Sequence, residues 1–284
     1  MISVNSRIPF STYGNSGEPL VFLHANGYPP GCYRPLLNRL AGSRRVLAMV
    51  QRPLWPDSHP GDIHDWGPLS DDLLRFLSEQ HLEKPVVIGH SMGGIAALRA
   101  ALRQPERFKA LILLDPVLFM PNFIRMWWLM YHTGLGYRIH PLVKAARYRR
   151  QAFDDLDKLF NGYRRKSIFR YFDDEALRAY VEGIACPDGD GYRLCYSAEW
   201  EMRVYVTGVW RDLELWRGLR NLSTPTAILR GAETDTFLAG TAQRVQKVNP
   251  AIKIVPLEKS THLLPLERPA EIHQEIRSFL SALS

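Results

Sequence analysis

Gly89-His90-Ser91-Met92-Gly93-Gly94 sets one serine among glycines. Before it runs the apolar, β-branched Pro85-Val86-Val87-Ile88, and after it Ile95 to Leu102, rich in helix formers. The pattern reads strand, tight turn, helix. A strand that reverses so sharply strains the serine backbone and needs small neighbours, here Gly89, Gly93 and Gly94, and it leaves the hydroxyl standing clear at the strand's carboxyl end. The Met92 N–H would then head a helix, where an unpaired donor and the helix dipole favour a developing oxyanion. The chemistry such a serine suits is attack on a carbonyl carbon. The plain alternative is a strand-to-helix loop with no chemistry.

A serine hydroxyl is a poor nucleophile at neutral pH; it needs a base, and the base needs an orienting carboxylate. Of nine histidines, His262 is the expected base, because Ser260-Thr261-His262-Leu263-Leu264-Pro265 lies between the last strand and the last helix. His90 adjoins the serine but points elsewhere by strand alternation. The acid is expected on a loop after a strand near His262. Gly231-Ala232-Glu233-Thr234-Asp235-Thr236 offers Glu233 and Asp235. Asp235, further out, is favoured, with Glu233 as a capping or supporting group and Asp115, at the end of another strand, as competitor. A turn or N-cap role is the alternative for Asp235. The second oxyanion donor is expected on His24-Ala25-Asn26-Gly27, as the N–H of Asn26 or Ala25.

The elements that must position these residues alternate. Leu20 to His24, Arg45 to Val50, Val86 to Ile88, Ala110 to Asp115, Thr226 to Arg230 and Ile252 to Leu257 read as strands. Helical spacing covers Tyr33 to Leu40, Leu69 to Leu82, the stretch after Ser91, Ala239 to Val248 and Pro269 to Leu283. The polar start, 1–19, with Gly14, Gly17 and Pro19, is read as a short edge hairpin. This alternation implies a mostly parallel sheet flanked by helices on both faces, an α/β fold. It breaks off over 117–222, too long for a connection. We expect core segments 1–116 and 223–284 with an inserted helical cap over 117–222, several helices lying above the carboxyl ends of the strands. The cap carries Met126-Trp127-Trp128-Leu129-Met130-Tyr131 and a basic run, Arg138, Lys144, Arg147, Arg149 and Arg150, with no acid between. His24, Trp127 and Trp128 are expected to line a substrate pocket, and the cap to make transient contact with a lipid surface.

Hydrophobic residues at 46% and charged residues at 23% place the chain among globular proteins. The formal charge of +7 is spread along the chain, and no nucleic-acid-binding signature accompanies it. Cys32, Cys186 and Cys195 form no disulfide framework and no zinc pattern. They point to a reducing compartment, with one Cys186–Cys195 bridge left open. The amino terminus lacks a signal-peptide pattern and no apolar stretch approaches a membrane span, so a cytoplasmic location is expected.

Together these residues resemble the α/β-hydrolase family. Gly89 to Gly94 matches its nucleophile elbow, Phe22-Leu23-His24 and the following loop its oxyanion loop, Gly231 to Asp235 its acid loop and Thr261-His262 its base loop. The order Ser, Asp, His and the segment Leu264-Pro265-Leu266-Glu267-Arg268-Pro269 fit as well. The resemblance covers 20–116 and 223–284, while 117–222 matches no named pattern. It implies an acyl-enzyme on Ser91, His262 as general base and no metal or organic cofactor; the aromatic cap adds the expectation of a small to medium apolar ester as substrate, with a lipid ester as the alternative. Serine in the elbow, in place of aspartate, argues against the family's haloalkane dehalogenases and epoxide hydrolases. Thioester hydrolysis, carbon–carbon bond hydrolysis, acyl transfer and, from another class, an inactive ligand-binding hydrolase fold are the alternatives. One departure stands out: many members have glycine after the oxyanion-loop histidine, where this chain has Ala25, with Gly27 two residues on. That leaves the identity of the donor N–H open.

Overall fold

The computed structural model describes residues 7–283. Seven strands form one sheet in the order β1-β3-β2-β4-β5-β9-β10. They are β1 (Phe10–Tyr13), β2 (Pro19–Leu23), β3 (Arg45–Met49), β4 (Val86–His90), β5 (Ala110–Leu114), β9 (Thr226–Gly231) and β10 (Lys253–Leu257). All neighbours pair in parallel except β1 with β3. So the amino-terminal stretch does hold an edge strand, but not the expected hairpin: β1 passes over β2 to pair with β3, and residues 1–6 lie outside the described part.

Strands β4 and β5 are buried along their whole length. That is why they read as continuous apolar runs, since both faces of a parallel sheet are covered. Alternate side chains serve the two faces. Leu20, Phe22, Ile88 and Ile112 pack with α1 (Arg34–Ala41), α12 (Leu264–Glu267) and α13 (Pro269–Ser281). Val21, Leu23, Val87 and Leu113 pack with α2 (Gly67–Glu79), α3 (Met92–Arg103) and α11 (Ala239–Val248). Fully burying a side chain of this size contributes about 1.5–3 kcal/mol, so the sheet's rigidity rests on this two-sided packing.

Between β5 and β9 lie α4 (Pro121–His132), α5 (Gly136–Ile139), α6 (Pro141–Arg147), α7 (Leu156–Arg164), α8 (Asp174–Ile184), α9 (Ala198–Thr207) and α10 (Leu213–Gly218). They are not all helix. A small antiparallel sheet joins β6 (Ala152–Phe153), β8 (Gly191–Leu194) and β7 (Ala185–Asp188). The β7–β8 hairpin turns at Gly189-Asp190, with Gly189 at φ +56°, and Cys186 and Cys195 are joined across it. The bridge that the sequence left open is therefore formed, while Cys32 is free and buried. The inserted elements touch core loops that follow strands: Asn26 Nδ2 donates to the Glu201 carbonyl, Arg203 Nε to the Ile63 carbonyl, and Arg170 and Tyr171 both reach Glu233. Among the described residues no helix is long and apolar enough to cross a membrane.

Candidate active site

Ser91 leaves β4 with φ +56° and ψ −117° and caps α3. The glycines around it allow this. A methyl group on Gly93 would lie 2.6 Å from the Leu23 carbonyl oxygen and 2.8 Å from that of His24, so α3 can approach β2 only without a side chain there. The Ser91 N–H donates to the Leu114 carbonyl at 3.0 Å, which ties the turn to the adjoining strand. Ser91 Oγ lies 2.9 Å from His262 Nε2, and His262 Nδ1 lies 2.7 Å from Asp115 Oδ2. A carboxylate only accepts, so Nδ1 carries the proton and Nε2 is free to accept from the serine.

The carboxylate beside His262 belongs to Asp115, not to Asp235. Asp235 is exposed, and its Oδ1 accepts from the neighbouring Thr236 hydroxyl at 3.1 Å. Sheet order supplies the reason. Strand β5 lies directly beside β4, so Asp115 leaves the sheet about 5 Å from the serine's strand. The loop after β9 makes a tight turn, Thr234 N–H to the Gly231 carbonyl, that aims Thr234 inward and Asp235 outward. The loop expected to supply the acid holds it instead. Gly231 N–H donates to Asp115 Oδ1 at 3.1 Å, and the Thr234 hydroxyl donates to Oδ2 at 2.6 Å. Asp115 is fully buried and held at φ +42°, a left-handed conformation that aspartate tolerates better than most residues. Glu233 takes Tyr171 and Arg170 as partners, which hold its carboxyl below the usual range, and it does not support Asp235.

Of the expected oxyanion donors, Met92 and Asn26 have N–H groups without a protein acceptor among the described residues. Ala25 is withdrawn from the set: its N–H donates to Tyr33 Oη at 3.1 Å. The question raised by the missing glycine is also resolved, since the left-handed residue in this loop is Gly27, at φ +77°, and not Ala25. Tyr33 in turn donates to His90 Nδ1 at 2.7 Å, and His90 Nε2 donates to the His262 carbonyl at 2.8 Å. A buried chain of hydrogen bonds thus runs from the oxyanion loop through the residue before Ser91 to the base loop. Burial pushes the His90 imidazole well below its ordinary pKa, which keeps it neutral in this role. Glu267 secures the other side of the base loop by accepting from Thr261 N–H at 2.6 Å and the Thr261 hydroxyl at 2.8 Å. Tyr33, Thr234 and Glu267 escaped the sequence reading. Glu267 lies in the segment after His262 that carried the resemblance, and Thr234 in the acid loop itself.

The expected pocket residues do not come together. His24 is fully buried, its Nδ1 donating to the Ala25 carbonyl and its Nε2 accepting from Gln51 N–H. Trp127 is buried and donates to the Val206 carbonyl at 3.3 Å. Trp128, about 100° further round α4, faces outward and lies tilted against the His132 ring. A cavity of about 620 Å³ lies elsewhere among the inserted elements, walled by Tyr28, Tyr163, Phe169, Tyr180 and Tyr205, with Arg149 and Glu201 in its lining. It adjoins the oxyanion loop, because Asn26 Nδ2 donates to the Glu201 carbonyl at 3.1 Å. Arg149 is held by Tyr180 at 3.1 Å and by Tyr163 and Glu201 at 3.4 Å. Among the described residues no group of His, Cys, Asp or Glu is arranged to hold a metal ion.

Residues 20–275 match the model of the alpha/beta hydrolase family, and the chain belongs to that family. It is 26% identical over 229 residues to a putative non-heme haloperoxidase of Mycobacterium phage D29, covering 80% of this chain and 68% of that protein. It is 22% identical over 290 residues to an sn-1-specific diacylglycerol lipase of Danio rerio, covering 96% and 82%. Among solved structures, E-2-(acetamidomethylene)succinate hydrolase superposes with a TM-score of 0.78 at 18% identity, over 96% of each chain. At that identity the superposition speaks for the fold alone.

Proposed function

We propose that this protein is a serine hydrolase that cleaves carboxylic esters through an acyl-enzyme on Ser91. The observation that carries the reading is the continuous contact Ser91 Oγ, His262 Nε2, His262 Nδ1, Asp115 Oδ2, at 2.9 and 2.7 Å. In it His262 takes the serine proton as Oγ attacks the carbonyl carbon, and Asp115 holds the tautomer and stabilises the imidazolium. The Met92 and Asn26 N–H groups receive the oxyanion. His262 returns the proton to the departing alcohol. It then activates water, which releases the acid. The inserted elements act as a cap whose aromatic cavity takes the apolar part of a small-molecule ester.

The test is hydrolysis of p-nitrophenyl esters from acetate to palmitate by wild type and Ser91→Ala, with fluorophosphonate labelling in parallel. Turnover that falls by about three orders of magnitude or more in Ser91→Ala supports the reading, and the preferred chain length measures the cavity. Labelling at Ser91 without ester turnover would redirect the same triad to a thioester or another acyl substrate. A wild type that neither labels nor turns over would leave a ligand-binding fold.

A further inference from the structure

On the flank of the molecule a cleft of about 600 Å³ is lined by Arg125 of α4, Arg217 of α10, Arg220 just after it and Arg244 of α11. Among the described residues none of these four arginines forms an ion pair. Arg125 donates only to the Asn122 side chain, and Arg244 lies over the Trp216 ring, 5.5 Å from its centroid. Elsewhere in the chain arginines regularly find carboxylates, as Arg34, Arg52, Arg164, Arg178 and Arg211 do. The sequence explains the difference. The cleft is built from three runs, 116–153, 215–232 and 236–257, that contain no aspartate or glutamate. Four converging guanidinium groups repel one another, and each offers a planar pair of donors that matches phosphate oxygens.

The cleft is continuous with an apolar helix face. Residues three and four apart share a face, so Arg125 is followed one turn on by Trp128 and Leu129, which are 49% and 50% exposed. Met126 beside them is 49% exposed. The opposite side of α4, Ile124 and Trp127, is buried, so the helix carries large apolar side chains on its exposed side as well as its buried one. An arginine-rich cleft bordered by exposed Trp and Leu has the composition of a surface that lies in a membrane interface.

We propose that this flank docks on an anionic phospholipid surface, headgroup phosphates entering the Arg125–Arg217–Arg220–Arg244 cleft while Trp128 and Leu129 enter the boundary between headgroups and acyl chains. The docking is independent of the chemistry proposed at Ser91, so Ser91→Ala binds vesicles like wild type. It refines the expectation of lipid contact: Trp127 takes no part, and the four arginines concerned all lie outside the basic run of 138–150.

The test is flotation of the full-length protein with phosphatidylcholine vesicles, with and without phosphatidylglycerol. Binding is expected only with phosphatidylglycerol, and is lost at high salt. Each arginine near the surface contributes about a fivefold change in affinity, so Arg217→Gln/Arg220→Gln should bind about 25-fold more weakly. Arg39→Gln/Arg277→Gln, which removes equal charge from exposed sites on α1 and α13, should bind like wild type. Trp128→Ser/Leu129→Ser should weaken binding with every charge kept. An unchanged thermal midpoint in each variant excludes misfolding as the cause. Absence of binding to phosphatidylglycerol vesicles at low salt overturns the proposal, as does an equal loss in both arginine pairs. A third refuting result is tight binding of inorganic pyrophosphate that needs the cleft arginines while Trp128→Ser/Leu129→Ser leaves vesicle binding intact, which assigns the cleft to a soluble phosphate compound.

Discussion

Replacing Asp115 by Asn tests the reading of the site most sharply. The substitution keeps size and leaves Oδ1 able to accept from Gly231 N–H. At the Oδ2 position, however, it can set an amide N–H against His262 Nδ1, 2.7 Å away. Nδ1 must then accept, the ring proton moves to Nε2, and Nε2 faces Ser91 Oγ as a donor unable to take its proton. In a serine protease with this arrangement the same exchange lowers kcat by about four orders of magnitude, equivalent to about 5.5 kcal/mol of barrier. A loss of that order is expected here in kcat for p-nitrophenyl ester hydrolysis. Asp235→Asn removes a carboxylate whose recorded partner is the Thr236 hydroxyl, and should change kcat less than about twofold. The assay compares kcat and KM for wild type, Asp115→Asn and Asp235→Asn, with thermal unfolding as the fold control. A folded Asp115→Asn with near wild-type kcat beside a crippled Asp235→Asn would refute the assignment and return the role to the loop after β9.

Other outcomes follow from buried groups and close approaches. Burial pushes the His24 pKa down to about 4 from 6.5, so across that interval the unfolded chain binds a proton the folded one refuses; stability is intact above pH 6.5 and falls as the pH drops, by about 3 kcal/mol from this group. Urea unfolding at stepped pH measures the slope, and His24→Gln should flatten it; an unaltered slope excludes His24 as its source. Gly93→Ala drives a methyl against the Leu23 and His24 carbonyls and should cost about 2–3 kcal/mol, read as a lowered unfolding midpoint with weakened fluorophosphonate labelling. Reducing Cys186–Cys195, with a separation of 9 residues, should lower stability by about 2.5 kcal/mol on the chain-entropy model. Equal unfolding curves with and without reductant would remove the bridge from the energetics.

The parts of this structure that were legible in the sequence are those written in local pattern. Strand β4, the glycine turn and α3 follow from apolar runs and small residues, and Ala239–Val248 and the closing helix from Pro269 follow from periodicity. The hairpin of β7 and β8 was also written locally, in Asp188-Gly189-Asp190-Gly191, but was lost inside a segment read as helical. What the sequence could not order was the sheet. The choice between Asp115 and Asp235 depends on which strand lies beside β4, and strand order is a long-range property. The same holds for Tyr33, whose link to Ala25 and His90 spans three separate segments. Trp127 and Trp128 show the limit within one helix: adjacent, alike in type, and sent to opposite surroundings by the 3.6-residue turn.

The hydrogen-bond chain through Ala25, Tyr33, His90 and His262, together with the grip of Gly231 and Thr234 on Asp115, lies wholly within the sheet-bearing segments. The inserted elements bear on this frame from outside, through Glu201 on Asn26, Arg170 and Tyr171 on Glu233, and the Tyr180 carbonyl on Cys32 beside Tyr33. On the proposed function, the reacting groups and the walls of the cavity thus belong to different parts of the chain, an engine in a fitted housing. A chimaera that carries a relative's segment in place of 117–222 should keep fluorophosphonate labelling at Ser91 while its chain-length preference moves to that of the donor. Loss of labelling in a folded chimaera would mean that the housing also tunes the engine.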